Sequence, residues 1–146
     1  MLLVSASYGV PTIEPNAPED RPALFTQDQI AALDRAIAPY AAQAKKTYPD
    51  AKNRFLAGLP PQHKFYLTTR IKDSDGKQEQ VFILVDHING TEVSGRICSP
   101  LSTVKEFEQG QTYIFHESEV LDWLITKPGG KEEGNFVGKF MDTYKP

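Results

Sequence analysis

Residues 64–98 read KFYLTTRIKDSDGKQEQVFILVDHINGTEVSGRIC, and the spacing of apolar side chains in this stretch decides the fold. The first strand spans residues 65–71, where alternation places three apolar residues on one face: Phe65, Leu67 and Ile71. Such alternation predicts a half-buried strand. Residues 80–88 predict a second strand, and because its middle is apolar on both faces we expect it to be central.

Turn residues separate these strands. Asp73–Gly76 reads DSDG and predicts the first turn, and Asn89-Gly90 predicts a hairpin. We expect a type I′ turn at Asn89-Gly90, because both central residues of that turn need positive φ. Residues 91–98 would then return antiparallel, and Gly95 within them predicts a bulge or bend.

Shorter elements complete the C-terminal half of the chain. Residues 99–110 predict a loop, residues 112–116 a fourth strand, residues 117–122 a single turn and residues 123–126 a fifth strand. We expect Trp123 in the fifth strand to be buried where the sheet meets the helices. The last element is an amphipathic helix capped by Asn135, with five apolar residues at helical spacing: Phe136, Val137, Phe140, Met141 and Tyr144.

The chain before the sheet divides into an arm and helices. Four prolines within twelve residues predict an extended arm over residues 1–25: Pro11, Pro15, Pro18 and Pro22. Thr26 is a candidate N-cap with Gln29 closing a capping box. Pro39 and Pro49 are expected to divide the helical region into short helices, the last of which ends at Gly58.

These elements predict an α+β fold with N-terminal helices, a small curled antiparallel sheet of about five strands, and a C-terminal helix. The chain has 146 residues, 40% hydrophobic and 24% charged, which excludes collagen-like, disordered and disulfide-scaffold classes. We expect one domain over residues 26–146, large enough to fold without a metal or disulfide.

The chain start does not settle the compartment. Residues 1–7 are apolar without a basic region, and their apolar run is short for a signal peptide, so they could be the stub of a trimmed leader. Cys98 is alone and cannot form an intramolecular disulfide. Cytoplasmic and periplasmic locations both stay open, and no membrane span is expected.

Charge is segregated along the sequence. Residues 45–77 hold eight basic and three acidic residues, whereas residues 79–122 hold two basic and eight acidic ones. The two stretches could lie together and neutralise one another, or form a bipolar surface that orients a charged partner.

Several stretches carry a family resemblance. They are residues 48–61, 82–85, 94–97 and 110–111, and above all Val120-Leu121-Asp122-Trp123 with Gly134-Asn135-Phe136-Val137-Gly138. Over approximately residues 37–144 the chain resembles the YegJ-like family of small bacterial proteins, a domain of unknown function. The resemblance implies a bacterial source and an α+β domain. It implies no reaction, ligand or catalytic residue.

The sequence gives little support for a catalytic site or a metal site. Cys98 and the three histidines His63, His87 and His116 could supply a nucleophile and base, but nothing beside Cys98 would lower its pKa. Residues 116–119 (HESE) lack the helical spacing of a zinc site. We therefore expect no metal and no cofactor, and the acidic pI of about 5.6 argues against nucleic acid.

The leading hypothesis is a non-enzymatic binding or protein-interaction module. The long loop 99–110 offers apolar anchors and the turn after the fourth strand an acidic rim: Leu101, Val104 and Phe107, with Glu117 and Glu119. Alternatively, the three apolar side chains cover the domain's own core.

Two other function classes stay open. One is a small hydrolase with a His/carboxylate pocket, and the other an immunity or regulatory protein for a toxin or secretion system. A polar pocket with a His and a carboxylate in hydrogen-bond reach would favour the hydrolase. The oligomeric state is open.

Overall fold

The computed structural model describes residues 27–145. The predicted arm and the Thr26 cap lie outside these residues. The elements in chain order are α1 (Gln27–Ala57), β1 (Lys64–Lys72), β2 (Gln78–Asn89), β3 (Glu92–Ile97), β4 (Thr112–His116), a 3₁₀ turn (Glu117–Glu119), β5 (Asp122–Thr126), a second 3₁₀ turn (Pro128–Gly130), β6 (Glu132–Gly134) and α2 (Phe136–Met141).

The six strands form one antiparallel sheet in the order β4-β3-β2-β1-β5-β6. The α+β class is confirmed, but the count of five strands is wrong. The missed strand, β6, has three residues and pairs with β5 through a turn closed by Lys127 N–H donating to Lys131 C=O at 2.7 Å. A strand this short carries no alternation pattern, so periodicity could not find it.

A single helix of 31 residues replaces the three predicted short ones. Pro39 and Pro49 both lie inside α1 on its exposed side, where water can solvate the carbonyls that each proline leaves without a partner. A continuous buried stripe holds the helix together: Leu33, Ile37, Ala44 and Ala51. The predicted end is confirmed, since Gly58 has φ 97° and its N–H bonds to Phe55 C=O.

The main core lies between α1 and one face of the sheet. Phe65, Leu67 and Ile71 point into it as expected, and Ala44 and Ala51 of α1 pack there. The other face of β1 is also buried, with Tyr66 at 0% exposure, so the half-buried prediction for this strand is wrong. The reason is a second apolar cluster on that face, where Tyr66 packs with Leu84 and Leu124.

The two helices meet at the N-terminal half of α1. Leu33 and Ile37 pack against Val137 of α2, and the rings of Tyr40 and Phe140 stack with centroids 4.5 Å apart. In residues 27–145 we find no helix that is long and apolar enough to cross a membrane.

The hairpin between β2 and β3 is confirmed, but its turn is shifted by one residue. Asn89 pairs with Glu92, so Gly90 and Thr91 are the central residues. Gly90 has φ 62° while Asn89 and Thr91 have ordinary negative φ. Glycine at the first central position belongs to a type II′ turn and not to the predicted I′ turn.

We expect Gly90→Val to lower the free energy of unfolding by more than ~1 kcal/mol, because a β-branched residue is strained at positive φ. A Cβ at this position would meet no atom within 4 Å, so the loss would be conformational and not steric. The measurement is urea unfolding, with Thr91→Val as the matched control. Equal midpoints for the two variants would contradict the turn geometry.

Candidate binding cleft

The loop 99–110 lies against the core. Val104 is 1% exposed and belongs to the main core, while Leu101 and Phe107 are half-buried against it. The Phe107 ring packs edge-to-face on Tyr113 at 5.4 Å. These positions match the alternative in which the loop covers the domain's own core. Partner binding by this loop stays a prediction.

Two carboxylates hold that loop by its backbone. Glu79 accepts hydrogen bonds from three successive amides, those of Ser102, Thr103 and Val104, with Ser102 at 2.9 Å and Val104 at 2.6 Å. Asp73 accepts from the next two amides, at 2.8 and 2.9 Å. Successive N–H groups that point the same way form an anion-binding nest. In this protein the carboxylates of Glu79 and Asp73 occupy the nest. They hold the loop against the core, which the loop covers.

We expect Glu79→Ala to free this loop, because three backbone N–H groups lose their acceptor at once. The expected result is faster limited proteolysis within residues 99–110 and faster amide exchange of Val104. Glu108→Ala is the matched control, since Glu108 is an exposed carboxylate on the same loop. Equal cleavage rates in the two variants would show that Glu79 does not hold the loop.

The acidic turn after β4 is tied to α1. Glu117 accepts hydrogen bonds from Lys52 Nζ at 2.8 Å and from Tyr48 Oη at 3.0 Å. Although burial acts to raise the pKa of Glu117, these two bonds outweigh it and hold the pKa below its usual value. Glu119 accepts from the His116 amide at 3.2 Å. The Lys52–Glu117 pair joins the basic stretch to the acidic one, as the neutralising alternative expects.

A Ser–His contact lies on the surface beside this turn. His116 Nδ1 is 2.7 Å from Ser118 Oγ and also accepts the Ser118 amide at 3.0 Å. Both residues are exposed, and the contact is a local cap of the 3₁₀ turn. Within the described part of the chain, no three His, Cys, Asp or Glu side chains are grouped to hold a metal ion.

The two motifs that carry the family resemblance meet at the joint between β5 and α2. Asp122 is fully buried, and its carboxylate accepts the Trp123 amide at 2.8 Å and the Val137 amide at 2.7 Å. Asn135 lies at the N-cap position of α2, as predicted, but its backbone is left-handed and its side chain makes no cap hydrogen bond. The Asp122 carboxylate accepts the Val137 amide in its place. Burial raises the pKa of Asp122 to about 6, against the lowering effect of these backbone hydrogen bonds.

Trp123 and Gly134 also pack at the joint between β5 and α2. Trp123 is 6% exposed, as predicted, and donates from Nε1 to Thr47 Oγ1 at 2.8 Å. Its ring contacts Phe136 edge-on. A Cβ on Gly134 would lie 2.4 Å from the Trp123 carbonyl oxygen, so only glycine fits. The motifs of the resemblance thus have a structural role.

A cleft of about 410 Å³ opens where β1 and β2 separate. Their register ends at Tyr66 opposite Leu84, although both strands continue beyond it. At this point β2 has a bulge between Val85 and His87, opposite Gly95 of β3. A bulge bends its strand, and here the bend separates β2 from β1. A Cβ on Gly95 would lie 2.4 Å from the Leu84 carbonyl oxygen, so the bend requires glycine. The bulge predicted from Gly95 is confirmed.

The cleft is lined by both apolar and charged residues, and three of the apolar ones, Phe65, Leu84 and Val85, are themselves buried in the core. Its apolar lining comes from α1, the connection after it, β1 and β2: Phe55, Gly58, Leu59, Phe65, Leu84 and Val85. The charged and titratable lining residues are His63, Lys64, Asp86 and Arg96. Stacked Phe55 and Phe65 rings, 5.1 Å apart, form one wall.

Local backbone geometry positions the rim. Gln62 has φ 64° in the left-handed region, and the His63 amide bonds to Pro60 C=O at 3.1 Å, closing a turn before β1. His63 Nδ1 lies 3.1 Å from Pro61 C=O. Across the cleft, Arg96 Nε and Asp86 Oδ1 are 3.8 Å apart, and both side chains are more than a third exposed.

The site residues that were predicted from the sequence do not line this cleft. Leu101, Val104, Phe107, Glu117 and Glu119 lie elsewhere. Sequence reasoning missed the cleft because its lining comes from four separate elements. The available signals were Gly95, which marks the bulge, and the Gly58–Pro61 connection.

Comparison with known proteins places the chain among bacterial proteins. The model of a family described as "Uncharacterized protein conserved in bacteria (DUF2314)" matches residues 31–143, which run from the first turns of α1 to the end of α2. No curated protein and no solved structure matches the chain. With most of its length inside the match, the chain belongs to the DUF2314 family of uncharacterised bacterial proteins.

Proposed function

We propose that this protein is a non-enzymatic binding module whose recognition site is the cleft between α1 and strands β1–β3. The observation that carries the proposal is the cleft at the end of the β1–β2 pairing, where the half-buried side chains of Phe55 and Leu59 lie beside charged ones. Ligand sites combine an apolar interior with a few polar groups that orient the ligand. A volume of about 410 Å³ falls within the usual range for such sites.

The rival function, a small hydrolase, has its best residues in the same cleft. His63 and Asp86 both line it, but each has another partner: His63 contacts Pro61 C=O and Asp86 faces Arg96. General-base catalysis needs a base in hydrogen-bond reach of its nucleophile and held by a third group. The partners of His63 and Asp86 favour binding over catalysis.

We also propose that the chain is YegJ-like and that it acts as an immunity or regulatory protein. An apolar cleft with a charged rim suits recognition of another protein's segment, which both a regulator and an immunity protein must perform. It also suits a protein partner better than nucleic acid, given the acidic pI.

The test is an NMR screen of the ¹⁵N-labelled chain with a chemically diverse set of small fragments. We expect the amide shifts to cluster at residues 63–65, 84–86 and 96. Leu59→Trp, at a half-buried position in the cleft lining, should abolish them, while Ile114→Trp at an exposed β4 position is the control. Shifts clustered at residues 99–110 instead, or a lack of any cluster, would refute the cleft as the recognition site.

A further inference from the structure

Strand β4 lies at an open edge of the sheet, because within residues 27–145 it pairs only with β3. At one end of this ladder the Glu117 amide donates to Thr91 C=O. At the other end Gln111 C=O accepts from the Ile97 amide. Hydrogen-bonded pairs alternate along an antiparallel ladder, so the backbone groups of the even-numbered β4 residues point away from β3.

The even-numbered residues of β4 are Thr112, Ile114 and His116, and all three are exposed. The His116 amide is already bonded to the Glu119 carboxylate at 3.2 Å. The amides of Thr112 and Ile114 have no such acceptor in the described part of the chain and face solvent. The Ile114 side chain is 58% exposed beside them. This edge therefore offers both backbone hydrogen bonds and an apolar contact.

The two edges of the sheet differ in how they are protected. Natural edge strands avoid unwanted pairing by being short or by carrying charged residues or proline. At the opposite edge β6 has only three residues, and two of them are glutamates. Strand β4 reads TYIFH, with neither lysine nor proline. A strand of this composition is suited to accept another strand along its edge.

The charges around β4 select a basic partner. Glu108 precedes the strand, Glu119 follows it and Glu92 lies opposite its last residue in β3, and all three are exposed. Residues 106–126 contain no lysine or arginine. Complementary charge of this kind speeds association and sets the choice of partner.

The cations on the neighbouring elements already face carboxylates. Arg96 of β3 has its Nε 3.8 Å from Asp86 Oδ1. Lys52 of α1 bonds to Glu117 at 2.8 Å. These pairs leave the acidic side chains around β4 as the charges that an incoming strand would meet.

A second copy of this chain fits the edge less well than a basic segment does. Antiparallel pairing of two β4 strands about Ile114 would place the Glu108 end of one strand beside the Glu119 end of the other. Like charges facing one another across paired strands are destabilising. The partner that fits is therefore one that brings lysine or arginine to both ends of the strand.

We propose that the outer edge of β4 binds an extended, basic segment of a partner protein, which adds a strand to the sheet beside Thr112–His116. This surface goes beyond the proposed function, because none of these residues lines the cleft. Main-chain hydrogen bonds to Thr112 and Ile114 hold the segment in place. An apolar residue of the segment covers the Ile114 side chain, and its basic residues meet the carboxylates at the two ends.

The experiment titrates the full ¹⁵N-labelled chain with the peptide N-acetyl-Lys-Lys-Thr-Val-Thr-Lys-Lys-amide. We expect binding in the millimolar range, as suits a short flexible peptide, with amide shifts centred on residues 112–116. Hydrogen exchange of the Thr112 and Ile114 amides should slow several-fold at saturation, because the added strand accepts from them. The Tyr113 and Phe115 amides already belong to the ladder and should not change. Unchanged exchange at Ile114, or shifts centred elsewhere, would overturn the proposal.

Two matched peptides separate charge from strand pairing. The same peptide with glutamate in place of each lysine should bind at least about tenfold more weakly, because it meets like charges. N-methylation of the valine removes the N–H that would donate to β4, and we expect a similar loss. If either matched peptide binds as tightly as the first, the proposal is wrong.

Variants of the protein test whether the attraction is local. Glu92→Gln and Glu108→Gln should each weaken binding of the basic peptide several-fold, and Ile114→Lys should abolish it. Glu132→Gln is the matched control, because Glu132 is an exposed carboxylate in β6 at the opposite edge of the sheet. If Glu132→Gln weakens binding as much as Glu108→Gln, the attraction is not local and the inference fails.

Sedimentation of the chain alone tests the second copy as the occupant of this edge. We expect a monomer at the concentrations of the titration. A dimer that Ile114→Lys abolishes would assign the edge to self-association and overturn the proposed partner.

Discussion

Trp123→Ala is expected to lower the free energy of unfolding by about 3 to 5 kcal/mol, because it removes a large buried ring from the junction of β5, α1 and α2. The indole contacts Phe136 and its N–H bonds to Thr47 Oγ1, so packing and a hydrogen bond are lost together. Urea unfolding followed by circular dichroism measures the loss.

Two control variants separate the loss of ring packing from the loss of the hydrogen bond. Trp123→Phe keeps most of the ring and should lose less, whereas Thr47→Val removes the hydroxyl that accepts from the indole and donates to Gln43 C=O. Wild-type fluorescence should show the emission maximum of a buried indole. A maximum typical of water-exposed tryptophan would contradict the 6% exposure of this residue.

Asp122→Ala is expected to lower the free energy of unfolding by about 3 kcal/mol, because the buried amides of Trp123 and Val137 would lose their acceptor. Asp122→Asn keeps the shape and one acceptor oxygen, so it should lose less. Asp142→Ala, an exposed carboxylate just after α2, is the control and should change little.

The raised pKa of Asp122 predicts that the free energy of unfolding depends on pH. Its pKa is about 6 when folded against an ordinary value of 3.8, so protons bind the folded state more tightly. Its stabilising contribution is complete below about pH 4 and is lost as the pH rises through 6. The wild type should therefore gain stability relative to Asp122→Asn between pH 7 and pH 5. A difference that shrinks over this interval would contradict the raised pKa.

The centre of the sheet could be predicted from the sequence because β1 and β2 are long and apolar. Residues 65–71 and 80–88 have clear alternation or a continuous apolar run, and each lies in an observed strand. Asn89-Gly90 correctly indicates the hairpin, but the turn lies one residue further on because Gly90 alone needs positive φ. Turn type depends on strand register, which the pairing of whole strands determines.

The helices are predicted less well because proline is a strong local stop signal. Pro39 and Pro49 each cost a hydrogen bond, yet Ile37, Ala44 and Ala51 recur every seven residues and keep one face of α1 buried. Tertiary packing thus outweighs local propensity. The spacing of seven is a visible signal for one long helix.

The candidate site could not be predicted because it depends on where strands separate. The sequence makes Val104 a candidate exposed anchor, but Glu79 and Asp73 fold its loop onto the core, and this contact spans more than twenty residues of sequence. The cleft arises from the bulge opposite Gly95 and the turn at Gln62. Those features bring together side chains from four elements, and sequence spacing does not show it.

The most direct measurement for the cleft is a set of intermolecular NOEs, recorded with ¹³C-labelled protein and an unlabelled fragment that the NMR screen identifies. We predict NOEs from the fragment protons to the Phe55 ring and the Leu59 methyl groups, which line the cleft. NOEs to Leu101 and Phe107 instead, or to no cleft side chain under conditions where the fragment is bound, would contradict recognition by the cleft.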